Sequence, residues 1–453
     1  MKHSAVAAIA AASALFPAAN AYWLMGAKNF ITTERIDPVV NPGEVSGHTH
    51  SVVGGSNFGF NVTTEKLLKS ECTSVPIVED NSNYWFPHLY FQWSNGSFSS
   101  VDGGAVIYYL FDDKPGTTKA FPPNFRMLSG NPASRTYDQK SFEQQAVTFL
   151  CLDFQNAIGG TTKHNSIPKQ QCPDGIRAQI NFQSCWDGKN LDSSDHKSHV
   201  AYRSEGPDAG SCKDPKFPVT LPRIFLEVYW GTHAFRGLES EAKDSKQPFV
   251  FANGDPTGYG YHADFFNGWQ PGVLQRAVDE CHCNPYGDPT CCAEKGIFTL
   301  EKEKKCFITK SVDEQTTGML RELPGNNPVQ PEGVKAAMLK PTSTPGILSP
   351  VYVYRDESKP SAPGKLITSP SNAGATKPTL PPVQVGIVVS TSSALASTSS
   401  SSSAASTTSS SSSAPASNAT GRAKSCSKAN STLSRRRHHA RRGIHHGFDS
   451  NAF

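Results

Sequence analysis

Beyond its first twenty residues, this chain has no run approaching the ~18 consecutive apolar residues that a membrane helix needs, which predicts no transmembrane segment. It has no HExxH pair, no GxSxG elbow, and no GxxxxGK(S/T) or Rossmann glycine pattern. Those absences set aside a standard zincin, an α/β-hydrolase and nucleotide chemistry. Helical periodicity is scarce, with "GVLQRAVDEC" the best candidate. Regular strand–helix alternation is missing too, which excludes a doubly wound parallel sheet. No basic face appears in the body, so nucleic acid is excluded as a partner. No charged residue lies between Lys377 and Arg422.

What is present begins with "MKHSAVAAIAAASALFPAANAYW": a basic start, an Ala-rich apolar run and a small-residue cleavage site. That pattern predicts a signal peptide over residues 1–21, a mature chain from Tyr22, and a secreted, extracellular or cell-wall protein. Of the 11 cysteines, ten precede the tail, and in an oxidising compartment they predict up to five disulfides of unreadable connectivity. The same compartment makes disulfides the better reading of "CHCNPYGDPTCC" than a zinc cluster. Sequons at Asn61, Asn95, Asn418 and Asn430 fit a glycoprotein.

Composition divides the mature chain into three zones. Residues 22–308 read as a globular domain, 309–385 as a Pro/Gly-rich extended arm or linker, and 386–453 as a disordered Ser/Thr-rich stalk with a basic end. The arginines of "SRRRHHARRGIHHGF" account for the whole +4 net charge and more. An anionic polymer is the partner such a tail would attract.

Short runs such as "YWFPHLYFQW", "AVIYYLFD", "AQINFQSCW" and "RIFLEVYW" are rich in β-branched and aromatic residues and end at turn formers. They predict a mainly β fold: an antiparallel β-sandwich or jelly-roll-like single domain with long loops and disulfides.

Three polar, glycine-bearing segments hold five of the nine histidines of the globular zone. In "VSGHTHSVVGGS", His48 and His50 share a face if the segment is a strand. "CWDGKNLDSSDHKSHVAY" offers Trp186, Asp187, Asp195, His196 and His199. "GDPTGYGYHADFFNGW" offers His262, Asp264 and Trp269. Imidazoles at i and i+2 can grip one divalent metal ion when other segments complete the ligand set. On that basis His48, His50, His199 and His262 are candidate metal ligands. Asp195, His196 and Asp264 are candidate acid or base groups. Arg35, Asp37, Trp186, Asp187 and Trp269 are candidate substrate contacts. The same residue types also build hydrogen-bonded scaffolds for irregular loops.

Taken together, "RIDPVVNPGEVSGHTHSVVGGSNFG", "FPPNFRMLSG", "CWDGKNLDSSDHKSHVAY", "FPVTLPRIFLEVYW" and "GDPTGYGYHADFFNGW" resemble the DUF1996 family over roughly residues 35–281. The resemblance implies a secreted, mostly fungal protein, often with a Ser/Thr-rich tail, and supplies no reaction. The expectation is a wall or matrix protein whose His/Asp pocket binds or acts on polysaccharide. The alternative is a non-catalytic structural or adhesive wall protein whose His/Asp segments are scaffold.

Overall fold

A computed structural model describes residues 20–367, except 113, 157–159, 338, 340–343 and 356–363. Most of the leader and the whole Ser/Thr-rich tail lie outside the described residues. Among the described residues, no helix is long and apolar enough to cross a membrane.

The chain is mainly β, built from several antiparallel sheets. Its strands run β1 (Asn20–Gly26), β2 (Thr32–Ile36), β3 (Val45–Gly54), β4 (Asn83–Pro87), β5 (Leu89–Gln92), β6 (Phe98–Ser100), β7 (Gly103–Asp112) and β8 (Arg126–Gly130). They continue as β9 (Val147–Cys151), β10 (Thr162–His164), β11 (Ile176–Asn181), β12 (Cys185–Trp186), β13 (Val200–Ala201), β14 (Val219–Thr220), β15 (Arg223–Trp230), β16 (Phe249–Phe251) and β17 (His262–Phe266). Two sheets dominate. One has the order β1-β7-β15-β11-β9-β10, the other β2-β3-β4-β17-β8.

Period-2 alternation explains why these two sheets share a core. Ile107 and Tyr109 of β7, Leu226 and Val228 of β15, and Ala178 and Ile180 of β11 all point inward. They meet Val53, Tyr84, Phe86, Ala263 and Phe265 of the five-stranded sheet in one apolar cluster. The opposite face of that five-stranded sheet carries a second cluster, around Val52, Phe58, Trp85 and Phe266.

"YWFPHLYFQW" differs from a single continuous strand. It divides into β4 and β5 at His88, whose amide bonds the carbonyl of Thr49. Pro87 has no N–H to continue the ladder, which accounts for the break. "GVLQRAVDEC" does form a helix, Val273–Glu280, burying Leu274, Ala277 and Val278.

All ten cysteines of the body pair: Cys72–Cys306, Cys151–Cys172, Cys185–Cys212, Cys281–Cys292 and Cys283–Cys291. The segment that follows Cys306 lies along the body. The amides of Ser311 and Val312 bond the buried carboxylate of Glu34, Glu314 pairs with Arg35, and the Asn327 side chain bonds the carbonyl of Gly47.

Candidate functional site

Directly opposed residues of an antiparallel ladder point to the same face. Pairing sets His50 opposite Pro87, Val52 opposite Trp85, and Trp85 opposite Asp264. Hence His48, His50 and Val52 of β3, Trp85 of β4, and His262, Asp264 and Phe266 of β17 occupy one face of the sheet. One part of that face is the apolar cluster of Val52, Trp85 and Phe266. Next to it lie the three imidazoles and Asp264. Asp37 joins them from the turn after β2, where its Oδ1 accepts the amides of Val39 and Val40, each at 3.0 Å. All five residues are buried.

The imidazoles pack closely, tilted or edge to face. Ring centroids are 4.3 Å apart for His48–His50 and 5.0 Å for His48–His262, and the Nε2 atoms of His48 and His262 are 3.0 Å apart. Two backbone carbonyls settle the tautomers. His50 Nδ1 lies 3.1 Å from the Ile36 carbonyl, and His262 Nδ1 lies 2.9 Å from that of Gly260. A carbonyl only accepts, so each Nδ1 carries the proton and each Nε2 presents a lone pair. This carbonyl support of the far nitrogen is how metal-ligating histidines are usually oriented. The Nε2 of His50 meets no partner among the described residues. One donor atom each from His48, His50 and His262 lies within 4.8 Å of the others, and the same holds for Asp37, His50 and Asp264.

Among the described residues, Asp264 is the one buried side chain with two unpartnered polar atoms. It is fully buried, and neither carboxylate oxygen has a hydrogen-bond partner among the described residues. Burial, reinforced by the nearby Asp37 carboxylate, pushes its pKa well above the usual range. Burial likewise raises Asp37, against the pull of the Val40 and Val39 amides. Burial lowers the basicity of all three histidines: His48 and His50 fall well below the ordinary imidazole value, and His262 is held down to about 4. An unpaired carboxylate in such a place must take a proton or a cation, since the bare buried charge costs several kcal/mol. Lys197, whose charge pulls the Asp264 pKa down, is engaged with Glu143 at 2.6 Å and the carbonyl of Gly130.

The turn before β17 builds the site from below. Asp255 accepts the amides of Thr257 and Gly260, at 2.8 and 2.7 Å, which holds the Gly260 carbonyl on His262 Nδ1. A Cβ at Gly260 would lie 2.4 Å from Nη1 of the buried Arg135, so the close approach requires glycine.

The loop at 187–199 lies against β8, with the amide of Leu128 on the His196 carbonyl. Its polar side chains are occupied within the loop or against neighbouring segments. Asp187 accepts the amides of Lys189 and Asn190. Asp195 accepts from the hydroxyls of Ser193 and Ser198 and from the amides of Lys197 and Ser198. Although burial opposes it, those bonds hold the Asp195 carboxyl far below the ordinary value. His196 pairs with Asp192 at 2.8 Å, and both ring nitrogens of His199 are engaged, by the Arg126 carbonyl and Ser193 Oγ. The Trp186 indole donates to the Asn190 carbonyl, and that of Trp269 to Tyr109 in the main core. Arg35 is buried between Glu314 and the Ser46 carbonyl.

Of the sequence candidates, the fold brings together His48, His50, His262, Asp264 and Asp37. It keeps Arg35, Trp186, Asp187, Asp195, His196, His199 and Trp269 in other bonds. Asp255 and Lys197 are supporting groups that the candidate set did not include. The Asp-x-Thr-Gly turn pattern at 255–258 is the only sequence signal for the first, and nothing in the sequence signals the second.

No curated protein and no solved structure matches the chain. A family model described as a domain of unknown function, DUF1996, matches residues 37–269, which is just over half of the chain and spans every member of the five-residue cluster. The chain belongs to the DUF1996 family.

Proposed function

We propose that this is an extracellular protein whose His48/His50/His262/Asp264 cluster holds a divalent transition-metal ion and acts on a polysaccharide. The observation that carries the reading is Asp264. It is a fully buried carboxylate without a hydrogen-bond partner among the described residues, grouped with Asp37 and with His50, whose orientation the Ile36 carbonyl fixes and which itself groups with His48 and His262. Mixed imidazole and carboxylate ligands suit zinc, iron or manganese better than calcium or magnesium. Ligands on one tetrahedral zinc ion would put two Nε2 atoms about 3.3 Å apart, close to the 3.0 Å seen between His48 and His262.

A divalent ion there supplies a water of lowered pKa or polarises a substrate oxygen. The protein residues have separate tasks. His50 and His262 present lone pairs from a fixed orientation, Asp264 neutralises charge, and Asp37 stands next to it as a carboxylate able to accept a proton. The leader-like start and five disulfides support an extracellular setting. The Ser/Thr-rich stalk supports tethering near a polymer matrix.

A second reading, a non-catalytic adhesive protein, is favoured by the loop at 187–199, whose Asp187 and Asp195 only brace their own turn. Incubating the secreted chain with neutral and acidic wall polysaccharides separates the two. Product release that a chelator stops and one divalent metal restores supports the first reading. Chelator-insensitive binding without product supports the second.

A further inference from the structure

Residues 93–97 join β5 to β6, with Ser94-Asn95-Gly96 at the tip. The Trp93 amide bonds the Ser97 carbonyl at 2.8 Å and the Gly96 amide bonds the Trp93 carbonyl at 2.9 Å. Gly96 sits at φ +88°, the left-handed position that a hairpin of this length needs. Ser94 and Asn95 are exposed at the tip. Asn95 Oδ1 accepts both the amide and the hydroxyl of Ser97, at 2.9 and 2.6 Å, while among the described residues no bond holds its Nδ2.

Trp93 is fixed beside it. Its indole N–H donates to Ser99 Oγ at 2.8 Å and its ring packs edge-on against Phe91 at 4.7 Å. The surface left over lines a groove of about 910 Å³, together with Asn95, Ser97, Met319 and Asn326. Met319 is 58% exposed there, its sulfur 3.5 Å from Ser99 Oγ. Thus a half-buried indole that lines the groove and an exposed thioether flank the amide of an Asn-Gly-Ser sequon. Amphipathic rings of this kind cover the C–H face of a sugar while its hydroxyls stay wet. The sequon at Asn61 lacks this arrangement, because Gly59 stands two residues before it where Trp93 stands before Asn95.

We propose that Asn95 carries an N-linked glycan whose first N-acetylglucosamine seats on Trp93 and occupies the mouth of this groove. The step is a glycosyl transfer from a lipid-pyrophosphate-linked oligosaccharide by a lumenal transferase. The sugar C1–oxygen bond to the pyrophosphate breaks and the C1–Nδ2 bond forms. The amide proton passes to the transferase base, and the lipid pyrophosphate leaves. The inference rests on the extracellular part of the function above and is independent of the metal.

The test uses the full chain secreted from a eukaryotic host. Peptide mapping after enzymatic glycan release in heavy-oxygen water is expected to find Asn95 converted to the labelled acid. In an Asn61→Gln background, release is expected to lower Tm by about 2 °C, the range of a modest surface contact. In the same background with Trp93→Leu added, release is expected to leave Tm unchanged. Secreted protein with a bare Asn95 overturns the inference, as does an equal Tm loss with and without Trp93. Binding of free oligosaccharide in the groove of protein with bare Asn95 would assign the groove to a substrate instead. A chain retained in the cell overturns the extracellular reading and this one with it.

Discussion

The Nε2 atoms of His48 and His262 lie 3.0 Å apart although 214 residues separate the two histidines in the chain. The Gly260 carbonyl leaves His262 with a lone pair at that nitrogen, so without an ion His48 must donate the shared proton. A bound cation would replace that proton and face the lone pair of His50 as well. The contact joins β3 to β17 across β4, which is why the centre exists only in the folded sheet.

Asp264→Asn separates stability from binding. The substitution removes a buried, unpartnered carboxylate, so the metal-free protein should be as stable as the parent or slightly more so. The parent should gain roughly 2.7 kcal/mol at a metal concentration 100 times Kd, and the variant should gain almost nothing. Thermal melts with and without zinc or manganese check both. An equal metal-dependent shift in the two proteins would remove Asp264 from the ligand set.

Metal uptake should release protons. Asp264, whose pKa burial and the Asp37 carboxylate hold well above the carboxylate range, must give up its proton to become a ligand. The histidines, held below their usual value, enter already neutral. Calorimetry in buffers of different ionisation enthalpy should therefore find about one proton released per ion. A release near zero would mean that the carboxylate stays outside the coordination sphere.

Acid should destabilise the metal-free protein before it reaches the carboxylate range. Burial holds His262 down to about 4 and His88 to about 3, while an unfolded imidazole titrates near ~6.5. With folded values depressed, each contribution is complete above about 6.5 and is lost as pH falls towards the folded value. Asp264 acts in the opposite sense. Its folded value is raised, so its contribution is complete below ~3.9 and lost as pH climbs towards that value. His262 alone contributes on the order of 3 kcal/mol across pH 7 to 4, and the raised carboxyls of Asp37, Glu34 and Asp80 act with Asp264 against the imidazoles. Urea unfolding at pH 7 and pH 4.5 measures the drop, and a flat profile would contradict the buried neutral imidazoles.

Asp195→Ala is the contrast. Its carboxylate braces only residues 193–198. Metal affinity should change less than about twofold, while protease cleavage within the loop speeds up as local opening becomes easier. A large loss of metal affinity would bring the loop into the centre.

The disulfides should differ in weight according to the loop each closes. Cys72–Cys306 spans 234 residues and Cys283–Cys291 spans 8. Chain entropy gives about 5 kcal/mol for the first and about 2.5 for the second. Pairwise replacement by alanine and denaturant unfolding test the order.

Much of the centre was legible because a strand repeats every two residues. The spacing in "GHTHS" and "YHAD" puts each pair of side chains on one face once the segment is known to be a strand. The mainly β, disulfide-bearing body followed from the same periodicity and from the cysteine content. Asp37 was harder to place, because it follows a register shift between Glu34 and Ile36 that no composition rule reveals. Histidine content favoured His196 and His199 equally, yet their ring nitrogens bond Asp192 and Ser193 within the loop and the Arg126 carbonyl of β8. Trp269 stands near polar residues in sequence, but its indole reaches Tyr109 in the core. Disulfide pairing depends on strand order, which cysteine spacing does not contain.

The most direct test of the metal centre is elemental analysis of the secreted full chain, dialysed after exposure to zinc, iron and manganese, beside His50→Ala and Asp264→Asn variants confirmed as folded by near-UV circular dichroism. The account predicts close to one transition-metal ion per parent chain and almost none in either variant. A parent chain that stays metal-free, or variants that hold as much metal as the parent, would contradict it.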